Sequence, residues 1–354
     1  MKKNVLISTG GSGGHVIPAL ILHEHLTKEA NVIITSDKRG LKFFDYKIYN
    51  HKIINTPKLN NIFFLPFNLI ILLFLVLKST LLLKAQKIES TVSTGGYMSL
   101  PLIFASKLLG IKIFLIEPNL VLGRANRFFL NSCLKIFCYS DEIKNFPTKF
   151  KDKIIIINPL VRKNFFQRKI FDENKKKINI LIIGGSQGAK IFDQSLKYKI
   201  SNLSKKFSMK IIQQTSLKNI DELKRFYNKN NIENLIFSFN SNLHEIMKKT
   251  DLCITRAGAS TLAELSALNI PFITIPLPTS VDDHQKENAK YYERNNCCWI
   301  VEQKTFDDKI EDVLIEILEN KQEYQKKKEN LKKLNNQNTW TNVNQKILWI
   351  VNEN

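Results

Sequence analysis

The sequence predicts an α/β protein made of two doubly wound parallel-sheet halves, and three observations carry that expectation. An apolar strand running into a Gly-Gly-Ser turn occurs twice. Val5-Leu6-Ile7-Ser8-Thr9 precedes Gly10-Gly11-Ser12-Gly13-Gly14-His15, and Ile180-Leu181-Ile182-Ile183 precedes Gly184-Gly185-Ser186-Gln187-Gly188-Ala189. Short apolar runs alternate with helical patterns along the chain, as parallel strands joined by crossover helices do. At 354 residues and 44% hydrophobic content, the chain can build about two domains with a core each. A glycine turn at a strand's carboxyl end lets backbone N–H groups and a helix start approach a ligand, which favours phosphate. Two such openings, half a chain apart, predict halves facing a shared cleft, with an activated donor in one and an acceptor in the other.

In the first half, strands are expected at 5–9, 32–35, 91–94, 111–116, 136–139 and 154–157, with helices at 16–28, 100–109 and 123–131 among them. The second half repeats the rhythm with strands at 178–183, 210–213, 235–237, 252–255, 272–275 and 298–301. Helices at 190–201, 241–249, 260–268 and 283–294 separate these strands. The boundary falls near Asn158-Pro159, which divides the chain into 1–158 and 159–338. The tail is lysine-rich and helical after Lys321, and it closes with Trp340, Ile347, Leu348, Trp349 and Ile350. An apolar final helix needs a surface to cover, and residues 339–354 are assigned to pack back on the first half.

The formal net charge is +21, mostly from lysine. It reads either as biased composition, since Lys, Asn and Ile are frequent even in loops, or as selection for an anionic partner. Nucleic acid is excluded as that partner, because neither clustered basic residues with stacking aromatics nor a recognised module is present. Five cysteines, Cys133, Cys138, Cys253, Cys297 and Cys298, are odd in number and show no CxxC spacing, so reduced thiols are expected. Strand-like residues begin almost at the initiator, which leaves no room for a signal peptide.

One segment breaks the α/β rhythm. The stretch from Ile62 to Leu77 (IFFLPFNLIILLFLVL) is almost wholly apolar and contains Pro66 and Asn68. A span needs about 20 apolar residues, and a crossing here would sever the sheet. Three readings stay open: a buried helix, a helix or loop whose exposed face dips into an anionic membrane surface, or a true span. On the second reading, Phe63, Phe64, Phe67 and Leu75 are expected on the exposed face.

The residues with chemistry sit at the strand ends. The pattern G-x-G-x-x-G fails because Val16 stands where the third glycine belongs, so Asp37 only imitates the acidic ribose ligand of a nicotinamide site. His15, at the helix entrance just before Pro18 in the first turn, can act as a general base or can merely position phosphate. A second glycine turn, Thr94-Gly95-Gly96-Tyr97, also follows a strand, and with Gly11 and Gly14 it can bracket an acceptor diphosphate. Arg256-Ala257-Gly258-Ala259-Ser260-Thr261 opens another helix, with Glu264 on the same side as Ser260 and Thr261, which suits phosphates at the amides and ribose at the carboxylate. Asp282-Asp283-His284-Gln285 imitates a metal cluster but reads better as a helix start, and neither a metal nor a cofactor is expected.

In this order, GGSGGH, GGY, GGSQGA, RAGAST with Glu264, and DDHQ-x-x-NA over 282–289 resemble the bacterial family that adds N-acetylglucosamine to the undecaprenyl-diphosphate-linked muramoyl precursor of peptidoglycan. The resemblance spans nearly the whole chain. It implies a GT-B fold, inversion at the donor's anomeric carbon, UDP-N-acetylglucosamine as donor, lipid I as acceptor, and a peripheral place on the cytoplasmic face of the inner membrane. By position it implies that Ser186 and Gln187 hold the donor phosphates, Glu264 the ribose, and Gln285 with Asn288 the N-acetylglucosamine. Ser12, Gly13, His15 and Asn119 meet the reacting sugars from the first half, and Arg162 matches a hinge segment of the family that also serves the donor. The chain departs from the family at Ile116-Glu117-Pro118-Asn119, where His-Glu-Gln-Asn is common, and at Leu100, Asn240 and Lys286. Two alternatives stay open: a transferase acting on diacylglycerol or another lipid, and a non-catalytic nucleotide-sugar-binding protein at the membrane.

Overall fold

The computed structural model describes residues 2–45, 47–57, 62–166, 177–185, 189–240 and 242–352. The chain divides into one unit of residues 1–160 with 339–354 and a second of residues 161–338.

The first unit is built on seven parallel strands: β1 (Lys3–Ser8), β2 (Ala30–Ser36), β3 (His51–Ile53), β4 (Ser90–Ser93), β5 (Lys112–Glu117), β6 (Lys135–Cys138) and β7 (Ile154–Ile156). They lie in the order β3-β2-β1-β4-β5-β6-β7. The inner strands β1, β4 and β5 are buried because helices cover both faces; β1 and β5 read as hydrophobic runs, whereas β4 is Ser90-Thr91-Val92-Ser93. Ser8 of β1 is level with Thr35 of β2 and Ser93 of β4. That register brings the residues two positions on, Gly10, Asp37 and Gly95, to one edge of the sheet. The short edge strand β3 is not among the expected strands; its half-exposed His-Lys-Ile has no apolar pattern to announce it.

Helix α1 (Gly13–Leu26) starts three residues before its expected position, because Gly13 and Gly14 join it. Pro18 therefore lies inside the helix rather than in the first turn at the expected start. Helix α2 (Leu65–Ala85) contains most of the apolar stretch. Its buried residues, Leu72, Leu75, Val76, Ser79 and Leu83, fall three and four apart on one stripe. Leu75, Val76 and Leu83 pack with Leu6, Ile33, Ile54 and Leu102. The rest of its surface is exposed and still apolar: Phe63, just ahead of the helix, is 90% exposed, and Phe67, Ile70, Leu73, Phe74, Leu77 and Leu81 are each more than half exposed. The buried-helix reading is thus corrected, since only one stripe of α2 enters the core. Helices α3 (Leu100–Leu108) and α4 (Arg124–Phe129) complete the crossovers of this unit.

The second unit carries six parallel strands: β8 (Ile178–Ile183), β9 (Met209–Gln214), β10 (Glu233–Phe237), β11 (Leu252–Thr255), β12 (Phe272–Thr274) and β13 (Cys298–Ile300). Their order is β10-β9-β8-β11-β12-β13. Thr255 is level with Ile183 and Thr274, so the turns after β8, β11 and β12 share an edge. The helices are α5 (Lys197–Leu203), α6 (Ile220–Lys229), α7 (Leu243–Lys248), α8 (Ala259–Ala267), α9 (His284–Arg294), α10 (Phe306–Glu319) and α11 (Lys321–Leu334). A π-helical turn, Phe192–Leu196, leads into α5.

The chain ends in α12 (Trp340–Ile347) and α13 (Trp349–Asn352), both in the first unit. Helices this short are not stable alone, and burial holds them. Val343, Ile347, Ile350 and Val351 are buried with Val5, Ile7, Phe114 and Phe137, each burial contributing about 1.5–3 kcal/mol. His25 of α1 stacks on Trp340 with ring centroids 3.7 Å apart, and its Nδ1 lies 3.0 Å from Asn344 Oδ1. All five cysteines are free and buried.

Candidate active site

In the first unit the two glycine turns come together around His15 and Met98. Gly11 (φ +77°) and Gly96 (φ +80°) occupy backbone space that side chains avoid. A Cβ on Gly11 would lie 2.6 Å from Met98 Cε, and one on Gly96 would lie 2.9 Å from the same methyl. The positive φ strains any side chain at either place, and the shared approach to Met98 makes the turns neighbours. His15 enters from the start of α1, where Ser12 stands at the N-cap position and Gly13 and Gly14 form the first residues. His15 Nδ1 lies 2.7 Å from the carbonyl oxygen of Thr94. A carbonyl can only accept, so Nδ1 carries the proton and neutral His15 keeps its lone pair on Nε2. That nitrogen lies 3.4 Å from the Cβ position of Gly96, beside the turn that carries Tyr97.

Two acidic residues to which sequence reasoning gives no role in the site organise this edge. Asp37 is buried, and its Oδ1 accepts from the backbone of Gly11 at 2.8 Å and of Gly40 at 2.9 Å, while Oδ2 accepts from Arg39 Nε at 2.7 Å. Burial pushes its carboxyl up, but the two amides and the Arg39 guanidinium outweigh burial and hold it below the usual range. Asp37 thus braces the glycine turn, and the resemblance to a ribose ligand ends there. Glu117, also buried, accepts from Asn119 at 3.2 Å, from the Gly123 amide at 2.8 Å and from Asn126 at 2.9 Å. Burial raises its pKa against these hydrogen bonds. Asn126 also donates to the Ile116 carbonyl and lies 3.4 Å from the Cβ position of Gly95. Asn119 is connected to the glycine turns through this chain. The one sequence signal for Glu117 is its position at the end of β5, a carboxylate closing an apolar strand.

In the second unit, Arg162 reaches Glu264 with Nε and a terminal nitrogen, both 2.8 Å from Oε1. Glu264 lies on α8, whose first residues follow the turn after β11, and burial pushes its pKa up against the opposing pull of Arg162. Gln285 Oε1 accepts from the Leu277 amide at 3.0 Å, and Asn288, buried, donates to the Ala257 carbonyl at 3.2 Å. Both tie α9 to the ends of β11 and β12. Asp282 and Asp283 adopt left-handed backbone just before α9, so the acidic pair does mark a helix start. Among the described residues, no three His, Cys, Asp or Glu side chains gather into a metal site. Ser186 and Gln187 lie outside the described residues. Asp193 accepts from Gln213, Thr215 and Asn219 at 2.6–2.9 Å, a network nothing in the sequence announces.

Residues 5–138 match the glycosyltransferase family 28 N-terminal domain, and residues 179–342 match its C-terminal domain. Over the full length of both chains, the protein is 50% identical to the UDP-N-acetylglucosamine--N-acetylmuramyl-(pentapeptide) pyrophosphoryl-undecaprenol N-acetylglucosamine transferase of Pelagibacter ubique. It is 35% identical to the transferase of the same name from Rickettsia prowazekii, over 94% of each chain. The crystal structure of MurG from Acinetobacter baumannii superposes with a TM-score of 0.75 at 22% identity, covering 94% of this chain and 95% of that one. This likeness fits the two parallel-sheet units of the GT-B fold.

Proposed function

The chain belongs to glycosyltransferase family 28, and from that premise we propose how its residues divide the work of transferring N-acetylglucosamine. The reaction moves this sugar from UDP-N-acetylglucosamine to the muramoyl sugar of an undecaprenyl-diphosphate-linked precursor, a step of peptidoglycan synthesis. The observation that carries it is the identity with the Pelagibacter transferase from end to end.

The first unit takes the acceptor. His15 Nε2 removes the proton of the muramoyl 4-hydroxyl as its oxygen attacks the anomeric carbon of the donor. The bond to UDP breaks on the opposite face, UDP leaves with the electron pair, and the configuration inverts. The tautomer held by Thr94 supports this role, since it places the proton on Nδ1 and the lone pair on Nε2. Ser12, Gly13 and Asn119 meet the reacting sugars, and the turns at Gly11, Gly14, Gly95, Gly96 and Tyr97 take the acceptor's diphosphate.

The second unit takes the donor. Backbone amides after β8, with Ser186 and Gln187, bind the departing diphosphate, where donors aimed at developing charge act most strongly. Glu264 accepts from the ribose while Arg162 holds its Oε1. Gln285 and Asn288 set the N-acetylglucosamine end of the site.

The enzyme is a peripheral protein at the cytoplasmic membrane face, attached through the exposed apolar side of α2. The test is product analysis with labelled UDP-N-acetylglucosamine and either a lipid I analogue or diacylglycerol. A lipid-linked disaccharide is the expected product. Glycosylated diacylglycerol would move the enzyme to another acceptor, and absence of turnover with both would make it a binding protein.

A further inference from the structure

Arg39 is the residue of the first unit's site that neither the motifs nor the proposed division of roles uses. It follows β2, whose end lies level with the ends of β1 and β4, the two strands that carry the glycine turns. Its guanidinium lies beside both turns. A terminal nitrogen lies 3.8 Å from the Cβ position of Gly11, and the guanidinium carbon is 5.2 Å from the centroid of the Tyr97 ring. Nε and Nη2 both bind Asp37 Oδ2, at 2.7 and 2.6 Å, which fixes the plane of the fork. The pair is asymmetric: the Asp37 side chain is 5% exposed and that of Arg39 is 44% exposed. The anion lies beneath the turn and the cation faces out.

We propose that Arg39 is the cationic ligand of the acceptor's diphosphate, held by Asp37 and Tyr97 between the two glycine turns. The inference rests on the acceptor assignment made above and adds the charge that assignment lacks. Glycine turns offer amide dipoles, whereas a diphosphate brings at least two negative charges to be met. A guanidinium has five N–H donors in a planar fork that suits phosphate oxygens, more than Asp37 and Tyr97 engage. A structural brace is the competing role. It is weakened by the two backbone amides that already satisfy Asp37 Oδ1 and by the outward exposure of the arginine.

The test uses the full chain and two readouts. Farnesyl diphosphate binding is measured by calorimetry, and initial rates are measured with UDP-N-acetylglucosamine and a short-chain lipid I analogue. Arg39→Gln should weaken farnesyl diphosphate binding and raise the acceptor KM by roughly 10- to 100-fold, the scale of a charge-assisted contact. The donor KM should stay within about twofold. Arg39→Lys keeps the charge without the fork and should fall between the two. If Arg39→Gln leaves Asp37 unbalanced and unfolds the unit, Arg39→Gln with Asp37→Asn removes both charges and should show the same binding loss. Folded variants that bind farnesyl diphosphate as wild type does overturn the proposal. So does a parallel rise in both KM values with a lowered Tm, the mark of a brace. Should wild type make no disaccharide, the acceptor reading fails by itself, and calorimetry still decides whether Arg39 binds a diphosphate.

Discussion

Arg162 and Glu264 hold each other with two contacts on a single carboxylate oxygen, so two side chains assigned separately to the donor act as one unit. Glu264 is buried and charged only at a cost, which Arg162 offsets in part. Glu264→Gln keeps the shape and an acceptor for Arg162 but weakens the contact to the ribose. It should raise the KM for UDP-N-acetylglucosamine about 10- to 100-fold, equivalent to roughly 1.5–3 kcal/mol, with the acceptor KM unchanged. An unchanged donor KM removes Glu264 from the donor site.

Arg162→Met tests the other side of the pair. It leaves the Glu264 carboxylate buried without its counter-charge, and unfolding of the second unit should become easier by about 2–3 kcal/mol. Burial then raises the carboxyl pKa unopposed. A group whose folded pKa lies above its unfolded value loses stability as pH rises, so the deficit should grow from the ordinary carboxylate range upward. Calorimetric melts across pH read this directly, and a deficit independent of pH would show that packing, not charge, is what Arg162 supplies.

His15→Ala should lower kcat by about 10²–10⁴-fold with the donor KM nearly intact. A variant that keeps most of wild-type kcat leaves His15 as a positioning residue.

His25 has no part in the chemistry, but it sets a pH limit on the fold. Burial lowers its pKa from 6.5 to about 4 against the hydrogen bond to Asn344. The unfolded chain therefore binds a proton between those values that the folded chain does not. Stability is present in full above pH 6.5 and falls as pH drops toward 4, by at most about 3 kcal/mol. Because His25 stacks on Trp340, tryptophan fluorescence reports the loss. His25→Gln should flatten the curve in this window, and an unchanged slope would assign the dependence to other groups.

The architecture is legible because glycine turns and buried strands are local signals. The motif at residues 10–15 and the alternation of strands and helices can be read without knowing what packs on what. The features that escape depend on partners distant in sequence. Asp37 bonds to Gly11, 26 positions away, and Arg162 to Glu264, 102 positions away. No spacing rule announces such pairs. For α2, composition alone cannot say which stripe is buried, because apolar residues surround the helix. Leu75, expected on the exposed face with Phe63, Phe64 and Phe67, is 9% exposed and packs against Val76 and Leu83 in the core cluster.

That correction sharpens the membrane test. The outward residues Phe67, Ile70, Leu73, Phe74 and Leu77 give α2 an exposed apolar side in the unit assigned to a lipid-linked acceptor. Each such side chain withdrawn from water contributes about 1.5–3 kcal/mol, and basic residues near anionic headgroups add about 1 kcal/mol each. Wild type should float with anionic vesicles at low salt, and salt should weaken only the electrostatic part. Phe67→Glu with Phe74→Glu should stay with the soluble fraction and melt within a few degrees of wild type. It should still glycosylate a short-chain soluble acceptor while losing activity on a vesicle-embedded one. Leu75→Glu places a charge in the core and should unfold the first unit, which separates the two sides of the helix. A double glutamate variant that still floats, or a wild type that never does, removes α2 as the membrane contact.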